Sequence, residues 1–247
     1  MEYKSTWKEI YRIGAYDTDF KSRVRLNRLM GYFQEAAWCH AAHLKLGIEF
    51  MHQNNVVWVL SAIKIHIEKL PVWREDVVIE TWPRNIERVF YKRDFIITDL
   101  NKNVFAYGTT NWLLVDLKTK RIKMFETDAL KSVLDPEHKV FDDEIEKISP
   151  LKDGSIFQRE IYSTDIDLNR HLSSNRYADL ILDCLPLSFY EEHIITGIQI
   201  NYIKELLPGQ KIKIIMNQVK NDSVFVFEGK SERGEVLHFQ AMITFRR

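Results

Sequence analysis

The chain has 247 residues, 45% of them hydrophobic and 28% charged, with 9 Gly and 6 Pro. At about 150 residues per domain this predicts a globular protein of one to two domains, and it excludes a disordered, collagen-like or helix-spanned membrane chain. Lys+Arg and Asp+Glu both total 35, so no net field favours nucleic acid or an anionic membrane.

Two cysteines, Cys39 and Cys184, occur without a C-x-x-C, which fits a reducing compartment and no disulfide framework. The stretch from Met1 to Tyr16 is charged and lacks the apolar segment of a signal peptide, so a cytoplasmic location is expected. Leu26, Leu29, Met30, Phe33, Ala37, Ala41 and Leu44 recur at helical spacing, predicting a helix over 27–45 with Gly47 as its stop. Apolar and β-branched runs then predict strands at Val56–Ile67, Asp76–Trp82, Val89–Thr98, Val104–Asp116 and Arg121–Phe125. Residues 129–155, with Pro136, Pro150 and the acidic run Asp142-Asp143-Glu144, read as a linker holding one helical turn. It separates a first repeat, 1–128, from a second, 156–247. In the second, a shorter helix over Ser174–Leu185 stops at Pro186. Strands follow at Thr196–Ile203, Lys211–Val219, Val224–Lys230 and Val236–Phe245. A helix followed by an antiparallel meander, twice, argues for α+β.

The halves also match in residues. Tyr16-Asp17-Thr18-Asp19 pairs with Tyr162-Ser163-Thr164-Asp165. Ala62-Ile63-Lys64-Ile65-His66 with Pro71 pairs with Gly197-Ile198-Gln199-Ile200-Asn201 with Pro208, after a short slip. Tandem duplication accounts for their shared order.

The chemistry-bearing stretch is Asp167-Leu168-Asn169-Arg170-His171. Alternate positions of an extended segment share a side, so Asp167, Asn169 and His171 face together. The helix expected immediately after them offers unpaired N–H groups for a developing oxyanion. The first repeat has Lys21-Ser22-Arg23-Val24-Arg25 in the corresponding stretch, so one half alone keeps the set.

Asp167-x-Asn169-x-His171, with Tyr177 six residues on, and Asn201-Tyr202-Ile203-Lys204-Glu205 resemble the motifs of the acyl-carrier-protein (ACP) thioesterases. The resemblance covers nearly the whole chain. It implies a tandem hot-dog fold, each long helix wrapped by a curved antiparallel sheet, and hydrolysis of fatty acyl-ACP. It implies catalytic roles for Asp167, Asn169, His171 and Glu205, with Glu205 as general base. Plant members carry a cysteine after the glutamate; here Leu206 stands there, and both cysteines read as core residues. No metal ligand spacing and no cofactor are implied.

The resemblance also places chain-length determinants in the first half, where Met30 and Phe33 are the candidate acyl-pocket residues. Some of Trp38, Trp58, Trp73, Trp82 and Trp112 are candidates to line the same tunnel. Acidic ACP is the expected partner. Arg23, Arg25 and Arg28 are the candidate docking cluster, with Lys118, Lys120, Arg121 and Lys123 as a second. A homodimer through exposed strand edges is a further expectation. Hot-dog hydratases resemble D-x-N-P-x-H, a spacing absent here. An acyl-CoA thioesterase and a non-enzymatic acyl-thioester-binding protein are the alternatives.

Overall fold

The computed structural model describes residues 3–220 and 223–247; Met1, Glu2, Asn221 and Asp222 lie outside the described residues. The chain divides into two compact units, Met1–Glu144 and Ile145–Arg247. The first contains β1 (Trp7–Arg12), α1 (Leu26–His43), α2 (Ile48–Asn54), β2 (Val56–Ile67), β3 (Asp76–Glu87), β4 (Phe90–Asp99), β5 (Val104–Asp116) and the one-turn α3 (Asp128–Lys131). Its strands pair antiparallel in the order β1-β3-β4-β5-β2. The second contains β6 (Ser155–Glu160), α4 (Arg176–Leu182), α5 (Leu187–Glu192), β7 (Ile194–Tyr202), β8 (Lys211–Lys220), β9 (Val224–Ser231) and β10 (Leu237–Arg246). Its order, β6-β8-β9-β10-β7, is the same layout repeated.

The core stripe of α1 forms as its spacing predicts, with Leu26, Leu29, Met30 and Phe33 buried. Phe33 stacks on Phe95 of β4 at 4.6 Å. The helix stop differs from the expected one. Lys45, not Gly47, takes the left-handed conformation after α1 (φ 58). Gly47 instead caps α2, and a Cβ there would lie 3.1 Å from the Ala42 Cα. Pro186 likewise begins α5 rather than merely ending α4.

β3 runs past its expected end at Trp82, through Pro83 to Glu87. The register shifts between Pro83 and Asn85, and such a bulge is where a sheet tolerates a residue without an N–H. Residues 121–125, expected as a strand, make the single bridge Val115↔Ile122. β1 and β6 were not legible, because Trp-Lys-Glu-Ile-Tyr-Arg and Ser-Ile-Phe-Gln-Arg-Glu carry the charges of edge strands.

Residues 138–144 are tied to the first unit. The Trp82 indole N–H donates to the His138 carbonyl (2.7 Å), Val140 N–H donates to Asp94 (3.2 Å), and Lys64 and Lys92 pair with Asp143 and Glu144, both at 2.6 Å. The acidic run therefore meets basic partners.

Two glycines admit aromatic rings against the sheets. Gly108 lies under Phe33, and Gly229 lies opposite Phe239, whose ring would be 2.0 Å from a Cβ at that position. Gly229→Ala should cost about 1–3 kcal/mol of stability in urea unfolding. Most of that cost should disappear in a Phe239→Leu background; strictly additive effects would count against ring-on-glycine packing.

Candidate active site

The candidate loop of the second unit is built on a buried carboxylate. Asp165 is 2% exposed. It accepts the Tyr162 N–H (3.0 Å) and pairs with Arg176 (2.9 Å) and Arg159 (3.4 Å). Burial opposes its ionisation, yet these donors together hold its carboxyl below the usual carboxylate range. Its carbonyl accepts the Ser173 N–H (3.0 Å), closing the loop's far end.

Inside that closure residues 166–172 form a tight hairpin. Ile166 bridges Leu172, and Asp167 N–H donates to the His171 carbonyl (2.9 Å). Arg170 takes a left-handed turn at φ 64. The Asp167 carboxylate accepts the Asn169 N–H (2.8 Å). Among the described residues the side chains of Asn169, His171 and Glu205 carry no hydrogen bond or ion pair, so they remain available.

Glu205 follows β7, and Leu172 N–H donating to the Leu206 carbonyl (2.8 Å) ties its segment to the loop. Tyr177, on α4, is buried. Burial, reinforced by Glu205 and then Asp167, holds its phenol well above the usual range. Its ring packs edge-on against Tyr202 and Phe239, and the Tyr202 hydroxyl donates to the Ser174 carbonyl (2.9 Å).

Part of the expected donor set is already used. α4 starts at Arg176, five residues beyond His171, and the N–H groups of Leu172, Ser173 and Arg176 already donate to Leu206, Asp165 and Ser173 carbonyls. Closing the loop consumes them.

The first unit has the same loop, which resets the repeat alignment by two residues. Asp17, which residue identity pairs with Ser163, matches Asp165. It accepts the Gly14 N–H (3.1 Å), pairs with Arg28 (3.5 Å), and its carbonyl accepts the Arg25 N–H (2.8 Å). Asp19 N–H donates to the Arg23 carbonyl as Asp167 does to His171, and Ser22 takes the left-handed turn (φ 57) of Arg170. Asp19, Lys21 and Arg23 thus correspond to Asp167, Asn169 and His171. Arg23 clamps Asp19 through Nε (3.1 Å) and Nη2 (2.9 Å). Val24 N–H donates to the Pro71 carbonyl as Leu172 does to Leu206. Leu70 therefore stands where the second unit has Glu205, and no slip is needed between β2 and β7.

The remaining candidates are distributed differently. Arg25 Nε donates to the Thr18 carbonyl (2.8 Å), so Arg23, Arg25 and Arg28 all hold their own loop. Met30 and Phe33 are fully buried. A cavity of about 70 Å³ in the same unit is lined by Ala37, Trp38, Ala41, Trp58, Trp112 and Arg93, among others. Trp82 is core, and Trp73 is half-exposed beneath Arg74. Cys184 is buried as expected, but Cys39 is only half-buried, beside Glu35; burial pushes their thiols up to about 12 and about 11, the mark of unreactive cysteines.

A carboxylate held below its usual range stabilises the fold above the unfolded value near pH 4, and that contribution is lost as pH falls through the lowered value. Asp165→Asn should therefore cost about 2 kcal/mol at pH 7. The gap from wild type in urea unfolding should close at acid pH below about 4. A gap independent of pH would mean that packing, not charge, is lost.

A family model of the acyl-ACP thioesterase N-terminal domain matches residues 4–133, and one of the C-terminal domain matches 148–247. An oleoyl-ACP thioesterase of Arabidopsis thaliana is 24% identical over 83% of this chain and 61% of its own length. A dodecanoyl-ACP hydrolase of Cinnamomum camphora is 24% identical over 93% and 62%. The chain thus spans about 60% of these plant relatives. The crystal structure of an acyl-ACP thioesterase from Bacteroides thetaiotaomicron superposes with a TM-score of 0.87 at 24% identity over 98% of both chains. The 12:0-ACP thioesterase of Umbellularia californica does so at 0.87 and 20%, over 100% of this chain and 99% of that one. The fold is a tandem hot-dog, and the chain belongs to the acyl-ACP thioesterase family.

Proposed function

We propose that this protein hydrolyses acyl-ACP to a free fatty acid and the carrier, within cytoplasmic fatty acid synthesis. One observation carries the reading. In the second unit the Leu172 N–H to Leu206 carbonyl bond ties the segment of Glu205 to the hairpin of Asp167, whereas the same loop of the first unit has Arg23 clamped on Asp19 and Leu70 in place of Glu205.

In the proposed reaction Glu205 takes a proton from water as the water oxygen attacks the thioester carbonyl. Asp167 orients that water. The side chains of Asn169 and His171, which carry no hydrogen bond among the described residues, donate to the oxyanion. The tetrahedral intermediate expels the carrier's thiolate, which is protonated as the C–S bond breaks. The acyl chain occupies the first unit's cavity. Met30 and Phe33 continue along α1 the stripe that Ala37 and Ala41 present to it.

An acidic carrier docks on the Lys21, Arg23, Arg25 and Arg28 face, where four cations stand against the carboxylates of Asp17 and Asp19. The turn of Lys118, Lys120, Arg121 and Lys123, next to Asp116, is the second candidate.

Glu205→Gln should lower kcat by about 10²–10⁴, the span of a positioned base. Cys39→Ala/Cys184→Ala should leave it near wild type. The assay is hydrolysis of a panel of acyl-ACPs with the matching acyl-CoAs in parallel; background-level turnover of all of them would sink the reading. Narrowing the cavity with Ala41→Phe should shift the product profile toward shorter chains, and an unchanged profile would remove the acyl chain from that cavity.

A further inference from the structure

Arg93 on β4 lines the first unit's cavity and is 9% exposed. Among the described residues its guanidinium has two hydrogen-bond partners, His40 Nδ1 (3.1 Å) and Thr81 Oγ1 (3.2 Å), and no carboxylate. Both are uncharged. His40 Nε2 is 2.8 Å from the Lys4 carbonyl, which makes it the protonated nitrogen and leaves Nδ1 to accept from Arg93. Burial, with Arg93 beside it, lowers the His40 pKa to about 3. Burial lowers that of Arg93 to about 10, so the guanidinium is charged at neutral pH beside a neutral imidazole.

The other cations of this region are compensated. Lys92 pairs with Glu87 and Glu144, and Arg84 lies 3.3 Å from Glu144 and 3.8 Å from Asp94. The remaining wall is largely apolar, and three of its aromatic polar groups are satisfied internally. The Trp58 and Trp112 indoles donate to Leu46 O and Thr110 Oγ1, and the Tyr91 hydroxyl donates to Phe125 O. A buried charge is ordinarily paired. Here the counter-charge is missing at the wall of a cavity whose other surface suits a hydrocarbon.

We propose that this cavity is a binding site for an apolar chain ending in a carboxylate, with Arg93 as its counter-ion and the tryptophan rings around the chain. The fork of guanidinium donors matches the two carboxylate oxygens. Such a ligand has two sources. One is the free fatty acid released by the proposed hydrolysis. The other is an acyl thioester whose far end carries a carboxyl group. Only this choice of source rests on the proposed activity; binding itself does not.

The test is calorimetric titration of the full chain with decanoate and with decan-1-ol, which match in chain length and differ in charge. Decanoate should bind at least about tenfold tighter, the scale of one charge-assisted pair. Arg93→Met should abolish that preference while keeping decan-1-ol binding within about twofold, and Ala41→Phe should weaken both. Equal affinities in the wild type, binding of neither ligand, or a preference that survives in folded Arg93→Met would each overturn the proposal. The wild-type comparison decides alone if Arg93→Met does not fold. The source is separated by kinetics. Competitive inhibition by decanoate identifies the product acid, whereas faster hydrolysis of an ω-carboxyacyl than of a plain acyl thioester of equal length identifies the far end of a substrate. A chain without hydrolase activity that still discriminates decanoate from decan-1-ol would leave this inference standing and remove the proposed function.

Discussion

Asp165 has lost nearly all contact with water, and a charge in that position is tolerable only when donors surround it. The Tyr162 N–H, Arg176 and Arg159 do so, drawing the end of β6 and the start of α4 onto one carboxylate. With both ends held, the seven residues from 166 to 172 have little choice but a hairpin turn. Asp167, Asn169 and His171 are then displayed by geometry rather than by contacts of their own. The same logic operates in the first unit, where Asp17 is held by Gly14 N–H and Arg28. The Asp–Arg pair at the head of the helix is the constraint that both repeats have in common.

From that anchor the candidate site of the second unit is drawn together across 34 positions of sequence by one backbone hydrogen bond, Leu172 N–H to the Leu206 carbonyl. It sets Glu205 beside the loop. Leu206 is fully buried, so its side chain secures the segment while the glutamate remains at the surface. Tyr177 supplies the shared neighbour, packed edge-on between Tyr202 and Phe239. Burial keeps the proton on that phenol, so it adds no negative charge of its own. Under the proposed reaction this leaves proton acceptance to the glutamate.

Much of this was legible in the sequence. β2 and β5 have the boundaries their apolar runs imply, and the α1 stripe identifies its buried face. Edge strands were not legible, because Lys8 and Arg12 in β1, or Gln158 and Glu160 in β6, lie where no neighbour demands apolar side chains. The repeat was visible, but its register was displaced by two. Matching Tyr16-Asp17-Thr18-Asp19 to Tyr162-Ser163-Thr164-Asp165 follows residue identity, whereas backbone hydrogen bonds equate Asp17 with Asp165. The candidate loop was legible from Asp167, Asn169 and His171. The use of its amides was not, since it depends on a carbonyl 34 residues away. Arg93 gave no signal at all: Lys92-Arg93-Asp94 reads as a solvated strand edge, and only the central place of β4 in its sheet buries it.

The two loops also differ in how far their carboxylates are engaged. Their backbones share the hairpin, the left-handed residue and the bridging bond to the next strand's end, so the fold does not distinguish them. Three side chains do. Arg23 gives Asp19 two side-chain donors in addition to backbone N–H groups, so that carboxylate is saturated and neutralised. His171, in the same place, makes no such clamp, and Asp167 keeps the single Asn169 N–H. Leu70 then removes the second carboxylate altogether. A clamped carboxylate stabilises its loop, whereas an unclamped one remains able to accept a proton or hold a water. The first unit has the clamped arrangement, and the second the unclamped one. The first unit buries its charge elsewhere. Its uncompensated cation, Arg93, lies at the cavity wall, distant in sequence from the loop that its counterpart uses.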